Sequence, residues 1–259
     1  MSRFNAVGTS RWLSLFVGVA ALWSGAAAAA DTYIILSLIG DRITVVREVA
    51  QTGSRIEKNQ HEVIPLADPA FDDYAVRVAD ATIAKARPDA GAMTLRADRS
   101  LYGLRDGWLG TDTIDAKALL SILAKQIPPS PDKHLLLIVP YRAELDLRTQ
   151  NDYRGQGKVA GLGFYLDTTT RMRRSDTQES SVGLLGIFAH FQLVLINLQS
   201  GAVEAHEPAV IGTTRAAARA EDRDPWNALS PAQKSRLLES LTKEEIERVL
   251  PGMLTGPKH

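Results

Sequence analysis

The chain has 259 residues, with 30 Lys and Arg against 30 Asp and Glu, and no cysteine. The balanced charge argues against nucleic acid as a general partner, because phosphate binding needs a basic face. The absence of cysteine removes disulfides, thiolate metal sites, thiol nucleophiles and acylation of an N-terminal cysteine.

Residues 1–30 read as a secretory signal peptide. Arg3 and Arg11 supply a positive start, Trp12 to Trp23 a short apolar core, and Ala26 to Ala30 the small residues that precede cleavage, leaving Asp31 as the mature N-terminus. That apolar core of 12 residues is shorter than the roughly 20 that a spanning helix needs. The expectation is an exported, soluble periplasmic protein of a Gram-negative envelope. Residues 31–259 would form one domain, ample for a full core, with no integral membrane segment after cleavage.

Thr32 to Gly40 is a buried-strand run and Arg42 to Val49 a second one. Gly40-Asp41 between them predicts a tight hairpin turn. Residues 51–60 are polar and loop-like, and His61 to Leu66 form a short strand. Asp68-Pro69 opens a helix, with Asp68 as cap, Pro69 at its first position and Asp72 and Asp73 opposing its positive end. Pro88 stops it. Ala92 to Arg96 is a strand, and Ser100 to Gly110 reads as a glycine-rich connection carrying Tyr102 and Trp108. Thr113 caps a further helix to about Gln126 with Leu119, Leu120 and Leu123 inward. His134 to Pro140, nearly all apolar, predicts a central strand covered on both faces. Residues 141–157 are polar and loop-like.

Lys158 to Thr168 and Val182 to Leu198 read as long strands, and a turn at Gln199-Ser200-Gly201 returns the chain along Ala202 to Gly212. The C-terminal half of the sheet is thus an antiparallel meander. Ser230-Pro231-Ala232-Gln233 is a capping box, and Thr242 to Glu245 repeats the signature. The tail from about residue 230 is therefore two short helices or one interrupted helix. The fold class is α/β (α+β): a mixed sheet with a C-terminal meander, helices packed on it and a short helical tail.

Few residues announce chemistry. Leu36 to Asp41 compares with the first block of SGNH-type esterases, but Arg42 stands where the nucleophile would be, and a guanidinium cannot attack a carbonyl. The histidines His61, His134, His190, His206 and His259 form no metal-ligand spacing. His190 sits among the packing residues of a strand and reads as structural. Gly155-Gln156-Gly157 and Gly161-Leu162-Gly163 lead into a strand, so they mark a bulge or close strand packing rather than a phosphate loop. No cofactor motif, metal site or catalytic constellation is legible.

Loop arginines remain: Arg142, Arg148, Arg154, Arg171, Arg173 and Arg174, with Trp108, Tyr141, Tyr153 and Tyr165 as stacking surface. Arg171, Arg173 and Arg174 crowd one end of the predicted hairpin and are the candidate binding residues, suited to an anionic glycan or the carboxylates of an envelope protein. The competing functional class is a periplasmic hydrolase using Asp41 or Asp167 with His190 or His134.

The segment Phe191 to Val203, an apolar strand, then Asn197-Leu198-Gln199-Ser200-Gly201, then a returning strand, resembles the strand–turn–strand of periplasmic α/β domains of the curli-secretion-lipoprotein (CsgG) and penicillin-binding-protein-activator type. There the turn is Asp-x-x-Thr-Gly; here Asn197 and Ser200 stand in for the Asp and Thr. The likeness covers about a quarter of the mature chain, and the lipidated cysteine of those proteins is missing. Gly161 to Asp167 resembles a segment of uncharacterised secreted proteobacterial proteins, which carries no activity with it. Together these readings imply a non-catalytic partner- or ligand-binding component of the cell envelope.

Overall fold

Twelve strands and four α-helices are built from these residues in the computed structural model, which describes residues 30–49, 59–111, 113–148, 153–173, 177, 178 and 180–255. The signal segment, residues 1–29, lies outside the described residues. The strands are β1 (Thr32–Ser37), β2 (Arg42–Arg47), β3 (Gln60–Pro65), β4 (Gly91–Leu95), β5 (Lys133–Pro140), four two-residue pieces β6–β9 between Ala143 and Val159, β10 (Gly161–Arg173), β11 (Ser180–Asn197) and β12 (Val203–Ala216). The helices are α1 (Ala70–Ala86), α2 (Arg99–Thr111), α3 (Ala116–Leu123) and α4 (Pro231–Leu254).

The main sheet is forked. β11 is 18 residues long and pairs with β12 along one edge. Its other edge is shared end to end: residues 180–190 pair with β10, and residues 191–197 pair with β5. Beyond β10 lie β2 and β3; beyond β5 lie β1 and β4. Both β1 with β5 and β2 with β10 are parallel, and both β5 and β10 are antiparallel to β11. Hence β1 and β2 run the same way, one in each branch. The expected Gly40-Asp41 hairpin is not formed: residues 38–41 carry the chain from one branch to the other without reversing it. Residues 141–160 do the same between β5 and β10, and the two crossings meet at the fork.

Side-chain alternation explains the layers. Tyr33, Ile35, Leu136, Ile138, Leu193 and Leu195 face α1 and α4. Ile34, Leu36, Leu135, Leu137, Val194 and Ile196 face the opposite way, against α2 and α3. With both faces covered, β5 is the central strand its apolar run predicts. In the other branch, Val46, Tyr165, Leu184 and Phe188 are covered by Leu145, Leu147 and Val159 of the 141–160 crossing. Gly163 allows that branch to close, since a Cβ there would lie 2.2 Å from the Thr44 carbonyl oxygen.

Three local expectations are corrected. Ser100 to Gly110 is not a connection but most of α2. Asp98 Oδ1 accepts from Ser100 N at 2.9 Å and Leu101 N at 3.1 Å, starting the helix. Leu101, Arg105 and Trp108 then fall on its buried stripe. Gly103, Gly107 and Gly110 sit on the opposite side with open space where a Cβ would project. α3 is capped by Asp115, which accepts from Ala118 N, rather than by Thr113. The tail is one continuous helix of 24 residues. Its Ser230–Gln233 capping box forms, but Thr242 is buried and donates to the Leu238 carbonyl one turn back, so its cap signature stays silent. Among the described residues, no helix is long and apolar enough to cross a membrane.

Candidate functional site

The fork opens into a cleft of about 940 Å³. Crevices of this kind arise where neighbouring strands of an α/β sheet part company at their carboxyl ends. Here β1 and β5 end side by side while the chain crosses to β2 and β10. One wall is the 38–42 crossing with α2 behind it; the other is the 141–160 crossing. Val63 and His61 of the edge strand β3 complete the rim.

The first wall is a closed ionic lattice. Arg105, only 1% exposed, donates from Nη1 to the Leu38 carbonyl at 2.8 Å and to Asp41 Oδ1 at 2.5 Å, and from Nη2 to Asp41 Oδ2 at 2.9 Å and Asp106 Oδ1 at 2.7 Å. Arg42 donates to Asp41 Oδ2 at 2.9 Å and Asp106 Oδ2 at 2.8 Å. Two guanidinium groups thus meet two carboxylates, and the lattice is neutral. Burial would raise the Asp41 carboxyl, but the hydrogen bonds and charge of Arg105 and Arg42 outweigh it and hold it below the usual range.

Behind that wall lies a second buried acid. Asp72, in the first turn of α1, accepts from Ser37 Oγ (2.6 Å), Ile39 N (2.8 Å) and Gly40 N (3.0 Å) on one oxygen and from the Tyr102 hydroxyl (2.6 Å) on the other. The expected role beside the helix dipole is therefore only part of its work: it stitches the end of β1 to α1 and α2. Burial lifts its carboxyl, against the pull of these donors. Gly40 is required by this contact, since a Cβ there would sit 2.5 Å from the Asp72 backbone nitrogen.

The second wall is different. Arg142, Glu144 and Lys158 line it, Arg142 and Lys158 are exposed, and neither cation forms an ion pair among the described residues. Two cations against one acid leave this wall positive. Behind it opens an annex of about 410 Å³ that shares Arg105, Leu109, Pro140, Arg142 and Lys158 with the cleft. Gln192 and His206, joined at 2.6 Å, line the annex as well.

The residues singled out from the sequence fall elsewhere. Arg171 is exposed near the far end of the β10–β11 hairpin, which forms as expected; the side chain of Arg173 and all of Arg174 lie outside the described residues. The aspartates and histidines of the hydrolase reading are dispersed. Asp41 is locked in its ionic lattice. Asp167 accepts from Thr169 N and Thr170 N beside a bulge in β10. His134 pairs with Glu204 at 2.6 Å at the opposite end of β5 from the cleft. His190 is 1% exposed against Phe188, and burial lowers its pKa to about 4, keeping the ring neutral. Of the loop arginines whose side chains are described, Arg142 lines the cleft. Lys158, which nothing in its neighbourhood marks, joins it because the crossing folds back on itself through the Ala143–Val159 and Glu144–Lys158 pairs.

No family model and no curated protein matches the chain. Among solved structures, it is similar to the hypothetical protein CT253 from Chlamydia trachomatis, at 10% identity, over 84% of this chain and 98% of that one, with a TM-score of 0.29. A likeness so slight carries no argument about function.

Proposed function

We propose that this protein is an exported, non-catalytic binding component of the cell envelope, and that it holds a small organic anion in the cleft at the fork. The observation that carries this reading is the pair of unpaired cations, Arg142 and Lys158, on one wall of a cleft large enough for such a ligand. Charges built only to hold the fold are paired, as Arg42 and Arg105 are. Charges left open beside a concave surface are available to a partner, and a guanidinium with an ammonium suits a carboxylate or phosphate. The signal-like segment 1–30 and the strand–turn–strand over Phe191 to Val203, similar to periplasmic α/β domains, support the envelope setting.

Native mass spectrometry of protein released gently from the envelope tests both halves. The expected species begins at Asp31 and carries a small anionic adduct that Arg142→Gln/Lys158→Gln lacks. Retention of Met1 to Ala30 in the membrane fraction would overturn the exported reading. Wild-type protein that binds no organic anion would overturn the ligand reading.

A further inference from the structure

The positive wall carries one acid beside its two cations, and the local fold fixes how the three are arranged. Leu145 and Val159 are buried, packed in one cluster with Tyr165 and Phe188. Side chains alternate along a strand. Glu144 and Lys158, each next to one of these buried residues, therefore point outward, and Arg142 shares the side of Glu144. All three are exposed and line the cleft. Lys158 stands directly across the ladder from Glu144. Arg142 lies two residues along the chain from it, about 7 Å away. The wall thus presents a carboxylate flanked by two cations. Opposite charges facing each other across a ladder attract. Yet Glu144 makes no ion pair among the described residues, with Lys158, with Arg142 or with any other group. The first wall offers none of the three a partner, since Arg42, Arg105, Asp41 and Asp106 neutralise one another. Two open positive groups and one open negative group remain, and a ligand that satisfies them carries the same pattern with the signs reversed.

Resting on the proposed anion site, we infer that the ligand is an α-amino acid with a second acidic group, its ammonium on Glu144 and its two acids on Arg142 and Lys158. In such a molecule the ammonium stands between the acids, as Glu144 stands between the cations. The Arg142 guanidinium takes one carboxylate through two parallel N–H bonds, and the Lys158 ammonium takes the other as a point charge. Glu144 lines the cleft but not the annex, so the ligand's ammonium faces the cleft. Glu144 is then a specificity-determining residue. The cations attract any small diacid. Against a plain diacid Glu144 is an unrelieved like charge, and against an amino diacid it is a partner.

The test compares L-glutamate with glutarate, the same five-carbon diacid without the ammonium, by calorimetric titration of the purified protein. L-glutamate is expected to bind about fivefold more tightly, the upper end for a solvent-exposed ion pair. Glu144→Gln, at an exposed position, should keep the melting temperature, weaken L-glutamate about fivefold and tighten glutarate, so that the order of the two acids reverses. Arg142→Gln/Lys158→Gln should lose both. Glutarate that binds wild-type protein as tightly as L-glutamate, with both lost in Arg142→Gln/Lys158→Gln, overturns the amino-acid ligand and leaves the anion site standing. So does a Glu144→Gln variant that takes both acids more tightly, because Glu144 then only damps the cations beside it. Binding of neither acid also overturns the amino-acid ligand. In that case an organic-anion adduct on the native protein leaves the anion site standing, and no adduct overturns both readings.

Discussion

The two walls of the fork cleft are built from the same kinds of side chain and behave in opposite ways. On the wall made by residues 38–42 and α2, Arg42 and Arg105 are matched one for one by Asp41 and Asp106, and Arg105 also ties down the Leu38 carbonyl. On the wall made by residues 141–160, Arg142 and Lys158 project without an ion-pair partner among the described residues. The difference teaches where charge is architectural and where it is available. The first wall lies where the chain must leave β1 and reach β2 in four residues, buried and with no room for a helix, so side chains satisfy its backbone: Arg105 donates to the Leu38 carbonyl, and Asp72 accepts from Ile39 N and Gly40 N. The second wall is a longer excursion whose short antiparallel pieces satisfy one another, and its cations are free of that duty.

Removing the keystone of the first wall should have the largest effect. Arg105→Met leaves Asp41 and Asp106 with Arg42 as their one shared cation, so the lattice carries an uncompensated negative charge, and it removes the Arg105 donor from the Leu38 carbonyl. A loss of about 3–5 kcal/mol is expected, as for breaking other buried ion pairs. Urea unfolding measures it. Adding Asp41→Asn to Arg105→Met should restore part of the loss, because the uncompensated charge is gone. A loss below about 1 kcal/mol in the single variant would mean that the first wall is no more architectural than the second.

Asp72 sharpens the same side of the comparison. Asp72→Ala strips the acceptor from four donors, two of them backbone N–H groups. It should cost about 3 kcal/mol, since each orphaned donor carries its own penalty. Asp72→Asn keeps an oxygen for Ser37, Ile39 and Gly40 and can donate to the Tyr102 oxygen, so its cost should stay near 1 kcal/mol. Thermal unfolding of the two variants side by side separates hydrogen bonding from charge. Equal losses would show that the carboxylate's charge, rather than its acceptor geometry, holds β1 to α1.

Much of this architecture was legible in the chain, and the exceptions have physical causes. The central strand at Lys133–Pro140 and the β10–β11–β12 meander were readable because burial writes hydrophobic runs and glycine turns directly into sequence. α2 was not, because three glycines suggested a loop. They lie on the solvent face, where glycine lowers helix propensity by about 1 kcal/mol each, and packing of Leu101, Arg105 and Trp108 wins. Gly40-Asp41 was misread as a hairpin because local turn chemistry cannot report that the next strand pairs with β10, some 120 residues away. The site was the least legible part. Arg142 was one of six loop arginines, and the three singled out were Arg171, Arg173 and Arg174; that Arg142 meets Lys158 at a cleft depends on the fork. Asp72 looked like an ordinary first-turn acid until the end of β1 was seen to end on it.

Beneath the second wall sits His190. Its carbonyl accepts from Tyr141 N at the start of the crossing, and its ring is buried beside the crossing. Its folded pKa of about 4 lies below the unfolded value of 6.5. The unfolded chain therefore takes up a proton first as pH falls, and stability present above pH 6.5 is lost down to about pH 4. By pH 5 the loss from this group should be about 2 kcal/mol. Melting curves from pH 7.5 to 5 measure it, and His190→Gln should flatten that slope while lowering the neutral-pH stability. An unchanged slope in the variant would remove His190 as its source.

The smallest expected effect on stability decides what the second wall is for. Arg142 and Lys158 are exposed, and no ion pair among the described residues depends on them. Replacing both with Gln keeps length and polarity, so folding stability should change by less than about 0.5 kcal/mol, the usual range for surface substitutions away from structural features. Mutual repulsion between two like charges on one wall would even be relieved slightly, within what salt screens at about 8 Å. A binding wall and a structural wall therefore respond in opposite order. Arg105→Met should lower the melting temperature sharply, whereas Arg142→Gln/Lys158→Gln should leave it in place and abolish anion uptake. If the double variant instead melts as early as Arg105→Met, the two walls are the same kind of structure, and the cleft between them has no side that faces a ligand by design.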